Sequence, residues 1–100
     1  MIAALYEALS AAAPSPVVEL NRAVAMAMAD GPDRGLRTLE PLAEALDGYQ
    51  LFHSARADLL RRLARFEEAA AAYERGLELV TNPQERRFLE RRLAETRRAG

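Results

Sequence analysis

The chain has 100 residues, which is enough for one modest domain with a single hydrophobic core. Its fourteen basic residues nearly balance its fifteen acidic ones, and the net charge of -1 argues against a nucleic-acid-binding protein, which needs clustered basic charge. The absence of cysteine excludes disulfides, thiolate nucleophiles and cysteine-based zinc sites. Alanine and leucine dominate the apolar residues and β-branched residues are few, a composition that predicts an all-α fold.

Breaks that contain proline, glycine or asparagine divide the chain into six predicted helices. Within these segments, apolar residues recur at the i, i+3, i+4 and i+7 spacing of an amphipathic helix. The predicted helices span about residues 1–12, 16–29, 33–46, 49–64, 66–80 and 84–97. The residues expected to face inward from the first, third and last of them are Ile2, Leu5, Tyr6 and Leu9, then Leu36, Leu39, Leu42, Ala43 and Leu46, then Phe88, Leu89 and Leu93.

Several helix ends carry recognisable signals. Ser15 is predicted to be an N-cap with proline in the first helical position, and Gly31 to end the second helix in a left-handed conformation. Pro41 removes a backbone donor, so a kink or an early end is expected in the third helix. Asn82 and Glu85 have the spacing of a capping box, in which each side chain binds the backbone amide of the other.

An internal repeat is visible at a shift of 34 residues, which is the tetratricopeptide period. The shift aligns small residues with small ones and large residues with large ones. The aligned pairs include Ala23 with Ala57, Met26 with Leu60, Gly35 with Ala69, and Leu39 with Tyr73. We therefore predict a tetratricopeptide-like, right-handed stack of about six antiparallel helices.

In this single helical domain, residues 1–15 form an N-terminal capping helix and residues 16–49 a weak repeat. Residues 50–83 form a clearer repeat and residues 84–97 a C-terminal capping helix. Ala64 departs from the tetratricopeptide pattern, which has glycine near the end of the first helix of a pair.

The same shift aligns Arg22 with Arg56. Two interpretations stay open: the guanidinium groups fork onto carboxylates or helix-end carbonyls and fix the packing, or they line a concave groove and bind a partner. Asn21 is expected to bridge a loop carbonyl in the same network. Residues 51–100 hold eleven arginines against eight acidic residues, a pattern of either a solvated face or a surface for an acidic partner or a phosphate backbone.

Little in the sequence indicates catalysis or metal binding. His53 is the only histidine, so we expect a core or groove histidine and neither a metal site nor a general base. No glycine-rich phosphate loop or nucleophile elbow occurs. We expect no enzyme and no cofactor. Because no apolar run reaches the ~18 residues of a membrane span and no signal peptide is recognisable, we expect a cytoplasmic chain without membrane contact.

The amino-acid sequences of two segments indicate a family more specifically than the composition does. The phrases "PSPVVELNRAVA" and "ARADLLRRL", within a match from about Ile2 to Leu93, resemble the C-terminal extension of one group of extracytoplasmic-function (ECF) sigma factors of bacterial RNA polymerase. In that group, sigma regions two and four precede a tetratricopeptide-like region. The resemblance implies that this chain is a piece of a longer factor and does not read a promoter alone. Ala64 and Pro41 depart from the family pattern.

A regulatory or protein-interaction role in transcription initiation follows from this resemblance. The implied partners are the sigma core regions, RNA polymerase or a signalling partner, with a YCII-like protein as one candidate. A free-standing tetratricopeptide-like adaptor that binds a peptide in its groove is the alternative. The residues expected to contact a partner are Asn21, Arg22, Leu51, Ser54, Arg56, Asp58, Arg61 and Arg62.

Overall fold

A computed structural model of the chain describes residues 15–100. This part is all-helical and contains no strand. Its helices are α1 (Pro16–Asp30), α2 (Pro32–Leu39), α3 (Gln50–Arg62), α4 (Phe66–Leu79) and α5 (Pro83–Ala99), with a 3-10 turn at Glu40–Leu42. The first predicted helix, about residues 1–12, lies outside the described residues. Within residues 15–100, no helix combines the length and the apolar character needed to cross a bilayer.

The structure divides into two compact units between Leu46 and Asp47. In the first unit, α1 packs against α2. In the second unit, α4 packs against both α3 and α5. Each unit therefore contains a hairpin of two adjacent helices, and the second unit adds one further helix.

The hairpins recur with the predicted period. Pro16 and Gln50, which begin α1 and α3, are 34 residues apart, and so are Pro32 and Phe66, which begin α2 and α4. The aligned residues are also buried alike: Ala23, Met26, Gly35 and Leu39 in the first hairpin, and Ala57, Leu60, Ala69 and Tyr73 in the second. The 34-residue shift read from the sequence thus corresponds to two hairpins of matching start and burial.

Small residues let the helices of the first hairpin approach closely. Ala23 on α1 is fully buried, and a Cβ added at Gly35 on α2 would clash with the Cβ of Ala27 and lie 3.1 Å from the carbonyl oxygen of Ala23. Gly35 is therefore required by contact with the facing helix, since no side chain fits between the two backbones.

The second unit closes around Gly76 on α4, with more room. A Cβ added there would lie 3.5 Å from Ser54 Oγ on α3 and 3.6 Å from Leu89 Cδ1 on α5, which are ordinary van der Waals distances. Phe52 and Tyr73 are fully buried in the same unit and supply most of its aromatic core. Gly76 therefore marks the point where three helices meet without a forced clash.

Three sequence predictions for helix ends are confirmed. The helix predicted for about residues 33–46 ends early: α2 stops at Leu39, and the chain continues as a 3-10 turn. The α helix stops there because Pro41 cannot donate a backbone hydrogen bond. Gly31 ends α1 with the predicted positive φ, at 100°, although its ψ of 161° is extended and not left-handed helical; L side chains rarely adopt this conformation. Asn82 Oδ1 accepts hydrogen bonds from the amides of Gln84 and Glu85, at 2.8 Å and 3.1 Å.

Four other predictions, about two helix caps and two inward-facing residues, are wrong. Ser15 lies at the N-cap position of α1, and its carbonyl oxygen accepts the Glu19 amide, but its hydroxyl makes no capping bond. The Glu85 side chain makes no return bond to Asn82 within the described residues, so only half of the capping box forms. Ala43 is exposed because the helix has already ended before it, and Phe88 is 45% exposed on α5.

Ala64, where the tetratricopeptide pattern has glycine, has φ 59° and lies in the left-handed region. Replacing Ala64 with glycine should stabilise the chain by about 1 kcal/mol, because the Cβ strain in this conformation exceeds the entropy that glycine adds to the unfolded chain. Urea unfolding measures this change. The matched control, Ala71→Gly at an exposed position within α4, should destabilise by about 1 kcal/mol, and equal effects of both substitutions would contradict the strain at Ala64.

Gly35→Ala should destabilise the α1–α2 hairpin by roughly 1–3 kcal/mol, since the new methyl overlaps Ala27. Gly76→Ala should be neutral or stabilising by up to about 1 kcal/mol, because alanine favours a helix and its methyl fits. Hydrogen exchange of the helix amides in each variant compares the two. Equal protection losses would show that the packing distances at these two glycines are not as described.

Candidate interaction surface

The predicted partner-contact residues fall on two helices. Asn21 and Arg22 lie on α1, in the first unit. The other six lie on α3, in the second unit: Leu51, Ser54, Arg56, Asp58, Arg61 and Arg62. The structure thus brings most of the predicted set onto one helix, and we describe the two groups separately.

One face of α3 carries five of these residues. Leu51, Ser54 and Asp58 follow one another at i, i+3 and i+7, and the two arginines continue the same face one turn later. Leu51 is 47% exposed, so a large apolar side chain lies open to solvent at the start of this face. Gln50 Nε2 donates to Ser54 Oγ at 2.6 Å. We call the exposed side of α3, from Leu51 to Arg62, the α3 face.

Asp58 binds both arginines of the α3 face. Its Oδ1 lies 2.6 Å from Arg61 Nη2, and its Oδ2 lies 3.0 Å from Arg62 Nε. The pKa of Arg61 is raised, chiefly by a hydrogen bond with the side chain of Tyr73 on α4 and then by the bond to Asp58. Arg61, with 27% of its side chain exposed, is the more buried of the two arginines, whereas Arg62, half exposed, remains accessible to a partner.

Arg61 also contains the one buried side-chain polar atom in residues 15–100 that lacks a hydrogen bond, its Nε. A buried donor left without an acceptor costs free energy unless another group satisfies it. In the same guanidinium group, Nη2 donates to Asp58 Oδ1. The polar network of the α3 face is therefore incomplete at this position.

The aligned arginines occupy equivalent places but have different surroundings. Each is the seventh residue of its helix and is half-buried. Arg22 donates from Nε to Glu19 Oε2 at 3.1 Å and from Nη1 to Met26 Sδ at 3.2 Å, so these bonds lie within α1. Arg56 acts across the second hairpin, since its positive charge helps to lower the pKa of Glu68 on α4.

Asn21 does not behave as the sequence predicted. Its side chain is exposed, and the expected bond to a loop carbonyl does not form within the described residues. It lies instead in an exposed apolar stripe on α1 with Val17, Val24 and Met28, at i, i+4, i+7 and i+11. Met28 is 76% exposed. Sequence reasoning missed this stripe because α1 is apolar on nearly all sides, and Asn21 was the signal that one side is open.

His53 is buried, with 8% exposure, and has a structural set of contacts. Its Nε2 lies 2.6 Å from the carbonyl oxygen of Asp47, a distance at which the ring N–H donates to that oxygen. Arg75 Nη2 binds the Asp47 carboxylate at 3.1 Å, so two side chains hold the residue that begins the second unit. Within residues 15–100, no three histidine, aspartate or glutamate side chains gather at a potential metal site.

Comparison with known proteins gives one relative. No family model matches the chain, and no solved structure matches it. The chain is similar to an uncharacterized protein of Rhizobium meliloti, with 45% identity over 89 residues. The match covers 89% of this chain and 21% of that protein, so the chain spans about a fifth of the length of the relative.

The pKa of Glu68 is lowered mainly by its hydrogen bonds with Arg65, while Arg56 contributes a smaller coulombic effect. Arg65→Gln should therefore raise the Glu68 pKa most of the way to its ordinary value, and Arg56→Gln should raise it less. A carbon-detected NMR titration of the glutamate carboxylates measures both shifts. A larger rise in the Arg56 variant would reverse the order of causes.

Arg22→Ala and Arg56→Ala distinguish packing from partner binding at the aligned arginines. Because both side chains are half-buried, we expect each substitution to destabilise the chain by about 1 kcal/mol, measured by thermal unfolding. The exposed Asn21→Ala variant is the control and should melt like the parent protein. Unchanged melting of both arginine variants, together with lost partner binding, would assign these residues to the interaction.

Proposed function

We propose that the chain is a protein-interaction region of a bacterial transcription initiation factor, of the kind that follows the DNA-reading regions in ECF sigma factors. The observation that carries this proposal is the 34-residue recurrence of the helical hairpin. That recurrence is the signature of helical-repeat proteins, which present extended surfaces to other proteins. It accompanies the phrases "PSPVVELNRAVA" and "ARADLLRRL", which resemble the extension of such sigma factors.

The length of the relative supports this assignment to a longer protein. A protein of which the matched segment forms 21% has room for several further regions. Sigma regions two and four and additional helical repeats would fit in that length. We propose that the hairpins of this chain belong to a tetratricopeptide-like, right-handed stack within such a factor.

The α3 face is the proposed contact surface. Leu51 supplies an apolar anchor at one end, and Arg62 supplies an accessible cation at the other, held in position by Asp58. An apolar anchor beside ordered charges suits a helix or extended segment of a partner protein. The sigma core, RNA polymerase or a signalling partner such as a YCII-like protein would be bound there, and initiation would change with occupancy.

A free-standing adaptor is the second candidate, and the exposed stripe on α1 favours it. Val17, Val24 and Met28 add an apolar surface that a peptide ligand could use without any sigma factor. Both candidates are binding functions. The contacts of His53 support a binding role over catalysis, because its Nε2 is committed to a backbone carbonyl.

Transcription from a cognate promoter tests the proposal, with RNA polymerase and the parent sigma factor carrying or lacking this region. Deletion should change the transcript yield, and Leu51→Ser in the intact factor should change it in the same direction. Loss of an apolar anchor typically weakens a contact by tenfold or more, about 1–2 kcal/mol. Ala71→Ser, at an exposed position on α4, is the control and should leave the yield unchanged.

Unchanged yield after deletion of the region would contradict the sigma-factor proposal. Binding of the isolated chain to a peptide, with no effect on transcription, would then favour the adaptor. A change caused by deletion but not by Leu51→Ser would retain the regulatory role and remove the α3 face as its site.

A further inference from the structure

Most arginines of this chain are paired with another group, and the unpaired ones lie together. Of the fourteen, all but three make an ion pair or a hydrogen bond within the described residues or, in the case of Arg56, a coulombic contact with an acidic side chain. The remaining three, Arg87, Arg91 and Arg98, make no ion pair or hydrogen bond there, and all are exposed on α5. The unpaired positive charge of residues 15–100 is thus concentrated on one helix.

These three arginines form one stripe. Their spacing of i, i+4 and i+11 places them on the same side of α5, with Ala94 between them. The opposite side carries Leu89 and Leu93, which are buried against the rest of the second unit. We call Arg87, Arg91, Ala94 and Arg98 the α5 stripe.

An exposed aromatic residue borders the α5 stripe. Phe88 is 45% exposed, and the guanidinium carbons of Arg91 and Arg92 lie 5.9 Å and 5.4 Å from the centre of its ring. Such cation–π contacts hold the ring and the cations in a common surface. An apolar group beside unpaired cations can contact both the apolar and the charged side chains of one partner.

The stripe carries a cost for the isolated helix. Arg87 and Arg91 are like charges four residues apart, an arrangement that weakens a helix. Elsewhere in the chain, arginines at helical spacing are matched with acids, such as Arg34 with Asp30 and Arg37 with Asp33. A carboxylate-bearing partner would remove this repulsion and supply the forked acceptors that guanidinium groups bind best.

We infer that the α5 stripe docks an acidic helical segment of a partner protein, with carboxylates facing Arg87, Arg91 and Arg98 and an apolar side chain on Phe88. A protein segment fits better than nucleic acid. The exposed carboxylate of Glu90 flanks the stripe, and it would repel a continuous phosphate backbone but can be avoided by spaced acidic side chains. The inference goes beyond the proposed function, since it concerns α5 and does not depend on the α3 face.

The test titrates the 100-residue chain with a synthetic helical peptide that carries glutamates at i, i+4 and i+11 and a leucine beside them. Amide chemical shifts of the chain report the site and the dissociation constant. Binding should shift the α5 amides, and a twin peptide with glutamines in place of the glutamates should bind about tenfold more weakly. Raising the salt concentration should weaken the glutamate peptide more than its twin.

Two triple variants of the chain complete the design. Arg87→Gln, Arg91→Gln and Arg98→Gln together should weaken the glutamate peptide about tenfold, and this variant should melt at or above the parent temperature because a like-charge pair is removed. Arg34→Gln, Arg37→Gln and Arg65→Gln together remove the same charge from paired arginines. This control should bind the peptide within about twofold of the parent.

Four results would overturn the inference. The first is equal weakening of peptide binding by both triple variants, and the second is an absence of α5 shifts at saturating peptide. The third is tighter binding of duplex DNA than of the glutamate peptide at the α5 stripe, and the fourth is self-association of the chain that the α5 triple variant abolishes. The third would assign the stripe to nucleic acid and the fourth to a second copy of the chain. Peptide binding at α5 with no effect of this region on transcription would refute only the proposed function.

Discussion

The close approach of helices at small residues is the constraint on which the rest of this structure depends. In the first hairpin, Gly35 lies against the backbone of Ala23 and the methyl of Ala27, with no room for a side chain. In the second, Ala57 and Ala69 are fully buried at the aligned positions. Alanine and glycine let the helix axes come near enough for larger residues such as Leu39 and Tyr73 to fill the core. The repeat is therefore a repeat of small, buried residues at equivalent positions of the two hairpins.

Charged residues affect the order of the molecular surface. Within residues 15–100, most ion pairs join residues three or four apart on one helix, as in Arg22 with Glu19 and Arg92 with Glu95. Exposed pairs of this kind contribute about 0–1 kcal/mol each, so they order the surface more than they hold the fold. With the small residues committed to packing, exposed side chains are gathered on helix faces: the α3 face, whose charges are paired around Asp58, the α5 stripe, whose arginines make no ion pair, and the apolar stripe on α1.

Sequence patterns predicted the helix ends well where the backbone chemistry of proline or a capping side chain determines them. The helix start at Pro16, the early end before Pro41 and the Asn82 cap follow from proline geometry and local hydrogen bonding. Side-chain directions were predicted less well. Phe88 was expected to face inward but is exposed, since periodicity alone does not say which of two adjacent apolar residues a neighbouring helix covers. The pairing of Asp58 with two arginines, and its absence at Arg87 and Arg98, depends on rotamers and on neighbouring helices that a linear pattern does not contain.

We propose that this chain binds protein partners, and a map of the contacted residues is the decisive experiment. The measurement is a chemical-shift titration of the 100-residue chain with a sigma-factor core, regions two and four, from the ECF group that the sequence resembles. We expect saturable shifts that cluster on the exposed side of α3, around Leu51 and Arg62, with the buried core residues unaffected. An absence of shifts at about 1 mM, the weak limit of useful affinity, would contradict the proposed binding function, as would shifts spread evenly over the chain.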